Sequence, residues 1–234
     1  MSETPKTILA LDTAGPGCSA ALWGRSAILA GRREFMARGQ SERLVPMVLE
    51  VMTEAGVPFS ALDMVAVSVG PGAFTGVRIG LSAAKGFSLA LAIPIMAVTS
   101  FEAVAAAVPA EDRAGRLLAI ALESKRDDLY LQLFDDTGRA RGEPAAIEPT
   151  ALSGHLPELP LLFAGDAKER AIAALGSWGD VRIFDGDDAA DAAQIAALAA
   201  TRDLAPGSPV GPLYLRAPDV TLPATLPAGL DERR

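Results

Sequence analysis

The chain has one cysteine, Cys18, and one histidine, His155, in 234 residues. A lone cysteine forms no intrachain disulfide, and no zinc centre can be built on thiolates or on a pair of imidazoles. The ligands that remain are carboxylates and carbonyls, which suit Mg²⁺ rather than zinc. Only four of the 21 basic residues are lysines (Lys6, Lys85, Lys125, Lys168). Beside so much alanine, this reads as the bias of a GC-rich genome. Basic residues are outnumbered by 29 acids, for a net charge of −8, and no Arg-rich helix offsets it. The chain alone is therefore expected to hold nucleic acid weakly. Long apolar runs are also missing. The longest candidate, Gly80 to Val98, is broken by Lys85, Gly86 and Pro94, short of the ~18 residues of a membrane span. The polar Met1 to Lys6 lead carries no signal-peptide pattern. The expectation is a cytoplasmic protein with no membrane association.

What is present is ordinary globular composition, half hydrophobic and 21% charged, on a chain long enough to bury roughly 70% of its unfolded surface. Ile8 to Thr13 and Cys18 to Trp23 are apolar runs separated by Gly15, Pro16 and Gly17, the pattern of a β-hairpin. Ala27 to Glu34 adds a third strand. Ser41 as N-cap and Glu42 in the first turn open a helix over 41–55, which Pro46 should distort and Gly56 and Pro58 end. Met64 to Val69 reads as a buried parallel strand. A Gly-Pro-Gly loop, a helix over 75–91, a strand at Ile95 to Val98 and a helix capped by Ser100 follow. The pattern then restarts: strands at Arg116 to Leu122 and Leu129 to Phe134, then Leu161 to Ala164, a helix over 167–175, a strand at Val181 to Phe184 and a helix over 189–203. Two hairpin-first halves predict a duplicated α/β unit, with halves at 1–105 and 106–216. The Pro-rich residues 217–234 are expected to be a loosely held tail.

Glycines between a buried strand and a helix let backbone N–H groups approach a ligand. Gly70, Gly72, Thr75 and Gly76 are therefore either an anion-binding loop or a tight strand-to-helix turn, with Gly80 permitting close helix packing. It is not a Walker A loop, because no Gly-Lys-Ser/Thr follows. Asp12 and Thr13 end the first strand, where an acid either holds Mg²⁺ beside a nucleotide or makes an Asx turn. Gly165-Asp166 has the same two readings. His155 reads as a surface-loop residue and Cys18 as a core residue. The pairs Asp135-Asp136 and Asp187-Asp188 read as solvated turns.

Both early helices carry more apolar surface than one sheet contact uses. Leu44, Val48, Val51 and Ala55 form one stripe of the first, and Val45, Leu49 and Met52 another. On the second, Ile79, Ala83, Phe87 and Ala90 face one way, and Val77, Leu81, Ala84 and Ser88 another. The surplus meets either the neighbouring helix or a partner. The expected partner surface is Leu44, Val45, Val48, Val51, Met52, Val77, Leu81, Ala84, Lys85 and Ser88.

The segments Ile8 to Thr13, Gln40-Ser41-Glu42-Arg43-Leu44-Val45-Pro46, Gly70 to Gly80 and Pro212-Leu213-Tyr214-Leu215-Arg216 together resemble the TsaB (YeaZ) family of tRNA threonylcarbamoyladenosine biosynthesis proteins. The Gly70 to Gly80 stretch is the most specific, with Ala73 where the family has Ser. Gln40 stands where a His is common. Glu123-Ser124-Lys125-Arg126 departs from the family's Asp-Ala-Arg. The resemblance implies an actin-like, Hsp70-like ATPase (ASKHA) fold of two ribonuclease-H-like halves, and a non-catalytic subunit without metal or cofactor. It implies partnership with the catalytic paralogue TsaD and the ATPase TsaE in forming threonylcarbamoyladenosine in tRNAs that read codons beginning with A. It also implies contact with tRNA only through the complex and a homodimer when alone. In the paralogue a His-x-x-x-His pair binds metal, and Ser100 and Val104 fall on those two positions here. Asp12, Thr13, Gly70, Gly72, Thr75 and Gly76 would then be a vestigial nucleotide loop. The alternative is an autonomous actin-fold ATPase or small-molecule kinase. A zinc peptidase is excluded by the missing ligands.

Overall fold

The computed structural model describes residues 6–124, 126–203 and 210–216. Lys125 and the tail from Ala217 lie outside the described residues. The first sheet is built from β1 (Ile8–Asp12), β2 (Gly17–Gly24), β3 (Ala27–Phe35), β4 (Met64–Ser68) and β5 (Ile95–Val98). The second is built from β6 (Leu117–Glu123), β7 (Leu129–Phe134), β8 (Ala140–Ile147), β9 (Leu161–Ala164) and β10 (Val181–Ile183). The strand orders are β3-β2-β1-β4-β5 and β8-β7-β6-β9-β10. The same order occurs twice, with an antiparallel three-stranded meander followed by two parallel strands. This is the duplicated ribonuclease-H-like unit of the actin-like ATPase fold.

Alternation along β1 sends Leu9 and Leu11 to one face and Ile8 and Ala10 to the other. The first face is covered by α1 (Gln40–Ala55) and α2 (Phe74–Leu91), which pack side by side. The second face is covered by α6 (Ala192–Ala200), a helix from the far end of the chain. In return α3 (Ser100–Ala107) sends Phe101, Val104 and Ala105 onto Leu118, Ile120 and Leu122 of the second sheet. Each half thus lends its last helix to the space between the sheets. Alanines let these helices sit close: Ala192, Ala196 and Ala199 are fully buried. The outer face of the second sheet is covered by α5 (Lys168–Leu175) and the 3-10 turns at Pro149–His155. A short α4 (Ala110–Arg113) leads into β6.

Several local expectations are corrected. The N-cap of α1 is Gly39, in left-handed backbone at φ 99°, while the Ser41 hydroxyl donates to Glu42. As expected, Pro46 lies inside α1, which runs on to Ala55. The cap of α3 is Thr99, one residue earlier than expected. Its Oγ1 accepts the Glu102 amide at 3.1 Å, and the Glu102 carboxylate accepts the Thr99 amide at 2.8 Å, a complete capping box. Strand β8 escapes periodicity because its first four residues are exposed and it carries Gly142 and Pro144. Such polarity is usual for an outer strand paired on one side only.

Candidate functional site

The carboxyl ends of β1 and β4 face those of β6 and β9 across a cleft, the place where α/β sheets bind ligands. The cleft encloses about 150 Å³ and is lined by Ala14–Pro16, Pro71–Ala73, Ser100, Val104, Leu122, Glu123, Asp166 and Asp188–Ala190. Ordinary ligand sites run to roughly 300–1,000 Å³. The rim carries three carboxylates, and its cations are already engaged. Lys168 Nζ donates to Asp188 at 2.8 Å. Arg170 donates to Glu123 at 2.5 Å and to the Asp128 carbonyl at 2.7 Å. Asp166 accepts the Glu123 amide at 2.9 Å, and burial followed by the nearby Glu123 charge raises its pKa.

The structure does bring Asp12, Thr13, Gly70, Gly72, Thr75 and Gly76 together, but it fills the gap between the two loops with the chain itself. A Cβ on Gly76 would lie 2.0 Å from the Thr13 carbonyl oxygen, and one on Gly72 would lie 2.3 Å from that of Ala14. Thr13 Oγ1 donates to the Gly76 carbonyl at 2.6 Å, and the Ala73 amide donates to the Ala14 carbonyl at 2.9 Å. These glycines therefore allow backbone to press on backbone. Gly76→Ala should destabilise the fold by about 3 kcal/mol or more, read as a fall in the urea midpoint at unchanged slope. A wild-type midpoint would show that the loops separate freely.

Asp12 is buried, and the Ala14 amide donates to its Oδ1 at 3.0 Å. Burial pushes its carboxyl up to about 6; the Ala14 and Ser68 hydrogen bonds pull the other way, and Asp191 adds a smaller push upward. Ser68 Oγ lies 3.2 Å from Ser100 Oγ on the floor of the cleft. Ser100 and Val104 stand one turn apart on α3 and both line that floor. One is a hydroxyl turned to a neighbouring serine and the other a hydrocarbon, so the pair offers neither an imidazole nor a carboxylate. Among the described residues no cluster of three or more His, Cys, Asp or Glu is arranged to hold a metal ion.

The pair Asp187-Asp188 is not a free solvated turn. Asp187 pairs with Arg33 of β3, and Asp188 accepts both Lys168 Nζ and the Gly165 amide. Arg33 also reaches Asp191 at 3.5 Å, so these ion pairs tie the second half to the first. Asp135 does make the expected turn, accepting the Thr137 and Arg139 amides at 3.0 Å. Cys18 is buried in β2 with its thiol pushed up to about 11, mainly by burial, and His155 is exposed.

The expected partner surface needs the largest correction. Leu44, Val48, Val51, Met52, Val77, Leu81 and Ala84 are at most 4% exposed and form the core between α1, α2 and the first sheet. Gly80 serves the same packing, since a Cβ there would lie 2.8 Å from Thr13 Oγ1. Of the ten residues, Val45 and Lys85 are exposed and Ser88 is half-buried. The outer stripe is Ser41, Val45 and Leu49 on α1 and Phe74, Arg78, Ser82, Lys85 and Leu89 on α2. Among these, Leu49 is 50%, Phe74 58% and Leu89 87% exposed. Hydrophobic periodicity located the exposed Val45 and Leu49 of α1, but the outer stripe of α2 is neither of the two expected, since Ile79, Ala83 and Phe87 are half-buried against the core.

The C-terminal segment joins this outer surface. The Leu213 amide donates to the Val69 carbonyl at 2.8 Å, and Arg216 pairs with the buried Asp128 at 2.9 Å. Tyr214 stacks on Phe74 with ring centroids 5.8 Å apart. Two segments far apart in sequence thus share one surface feature, which periodicity alone does not reveal.

Residues 34–154 match the family model described as TsaD: tRNA N6-adenosine threonylcarbamoyltransferase. The chain is 32% identical over 156 residues to the tRNA threonylcarbamoyladenosine biosynthesis protein TsaB of Escherichia coli, covering 65% of this chain and 67% of that one. It is 31% identical over 228 residues to an uncharacterized protein of Mycobacterium tuberculosis, covering 91% and 93% of the two chains. A crystal structure from Pseudomonas aeruginosa, described as an uncharacterized protein with similarity to peptidase YEAZ, superposes with a TM-score of 0.78 at 28% identity. It covers 90% of this chain and 100% of that one. No helix among the described residues is long and apolar enough to cross a membrane.

Proposed function

Because the chain belongs to the TsaB (YeaZ) family of tRNA threonylcarbamoyladenosine biosynthesis proteins, we propose that it is a cytoplasmic, non-catalytic subunit that binds and supports a TsaD-family threonylcarbamoyltransferase. The observation that carries this reading is the cleft floor. By the family resemblance Ser100 and Val104 stand where the paralogue has its metal-binding His pair; both line the cleft, Ser100 turns to Ser68, and neither is an imidazole. Against the rival reading, an autonomous ATPase or kinase, stands the engagement of the cleft's neighbouring cations, Lys168 and Arg170, by carboxylates of the chain itself. Such an enzyme needs cations to hold a polyphosphate. Partner contact then falls to the exposed outer stripe of α1 and α2, and the same stripe serves a homodimer in the absence of the partner. The ATPase TsaE and the tRNA join through the complex.

The test is threonylcarbamoyl transfer from threonylcarbamoyl-adenylate to tRNA. The chain alone should give no product and no ATP hydrolysis above background. Adding the TsaD-family subunit of the same organism and TsaE should restore transfer that depends on this chain. Product formed by the chain alone would overturn the reading.

A further inference from the structure

Arg33, Arg43, Arg116, Arg170, Arg202 and Arg216 each sit against a carboxylate of this chain. Arg78 does not. Its guanidinium carbon lies 3.3 Å from the centre of the Phe74 ring and 5.6 Å from that of Tyr214, and it has no ion pair among the described residues. Stacking on a ring holds the guanidinium plane while leaving its edge N–H groups to solvent, and such a planar fork matches a carboxylate with two parallel hydrogen bonds. The groove beside it is apolar, lined by Leu44, Val45, Ile79 and Ala83, with Ser41 and Ser82 at its margin. An apolar groove between two helices with one unpaired cation is complementary to a helix with an apolar ridge and one acid. A phosphate backbone would instead call for a track of several cations. Among the described residues, Arg78 is the one charged residue lining this groove.

We infer that Arg78, held by Phe74 and Tyr214, is the anchor by which the α1–α2 groove recognises a carboxylate on a helix of its protein partner. This rests on the subunit reading above and names the chemistry of that contact. The test uses the full chain and the TsaD-family subunit of its own organism. Arg78→Glu should weaken their association about 30-fold or more, with an unfolding temperature lowered by no more than about 4 °C, because a surface cation–π contact but no internal ion pair is lost. Arg78→Lys keeps the charge but loses the fork and should fall between the two. An acid-to-lysine change on one of the partner's groove-facing helices should restore binding to Arg78→Glu. If the wild-type chain does not bind the partner, the subunit reading fails and this inference with it. If the wild type binds and Arg78→Glu binds equally well, or no acid reversal restores it, this inference alone is wrong. Intact assembly with lost tRNA retention would assign the fork to RNA phosphate and overturn it.

Discussion

Val48→Asp and Leu81→Asp should leave no folded protein, whereas Leu49→Asp should fold normally and fail to assemble. Val48 is fully buried and Leu81 is 4% exposed in the core under α1 and α2. Each substitution removes a buried side chain worth about 1.5–3 kcal/mol and leaves an unpaired carboxylate among hydrocarbon, which costs several more. The sum reaches the 5–15 kcal/mol that holds an ordinary domain together. Leu49 is half exposed on the opposite side of the same helix, so an acid there remains hydrated in the monomer. In a helix–helix contact that acid would be desolvated without a partner, and association should weaken by at least tenfold. Far-UV circular dichroism on heating separates the two classes, and co-purification with the TsaD-family subunit reads the contact. A folded Val48→Asp protein would show that α1 is not held by its inner stripe. A Leu49→Asp protein that assembles like the wild type would move the interface elsewhere.

That contrast marks where the sequence stops being legible. Period-3.6 apolar spacing shows that α1 and α2 each have two apolar stripes, but helical periodicity carries no signal for which stripe meets the sheet. The answer comes from Gly76 and Gly80, whose missing side chains let α2 rest directly on Thr13. The hairpin-first repeat was readable because Gly15, Pro16 and Gly17 punctuate the first hairpin and a polar run, Glu123 to Asp128, marks the second. The exchange of α3 and α6 between halves was not, since an alanine-rich helix fits either face of either sheet. Asp187 and Asp188 read as solvated because their partners, Arg33 and Lys168, are 154 and 20 residues away. The Phe74–Arg78–Tyr214 stack hides for the same reason: it joins the start of α2 to a segment about 140 residues later. What local pattern does specify is the cleft floor, because Ser100 and Val104 at helical spacing on α3 must share a face wherever that helix docks.

Asp12→Asn should stabilise the protein at pH 7.5 by about 3 kcal/mol and leave it nearly unchanged at pH 3.5. The folded carboxyl has its pKa raised from the ordinary 3.8 to about 6, chiefly by burial, so the folded state holds a proton that the unfolded chain has already released. Between those two values the unfolded state binds fewer protons, and stability falls as pH rises. Above about 6 both states are ionised, and the full cost of the buried charge is present. Below 3.8 both are protonated, and the group contributes nothing. Asn keeps the carbonyl that accepts the Ala14 amide at 3.0 Å and removes the charge. Glu34 and Glu50 beside Arg43, Asp180 beside Arg116 and Asp187 beside Arg33 have lowered pKa values and the opposite slope. They are common to both proteins and cancel in the difference. Urea unfolding of the two proteins at a series of pH values gives that difference directly. At neutral pH it should appear as a melting temperature about 6–12 °C higher for the variant. Equal stabilities at pH 7.5 would mean that the Asp12 carboxylate is compensated in the folded state. It would then be a settled part of the turn that packs on Gly72 and Gly76, and not a buried charge at the junction of the two halves.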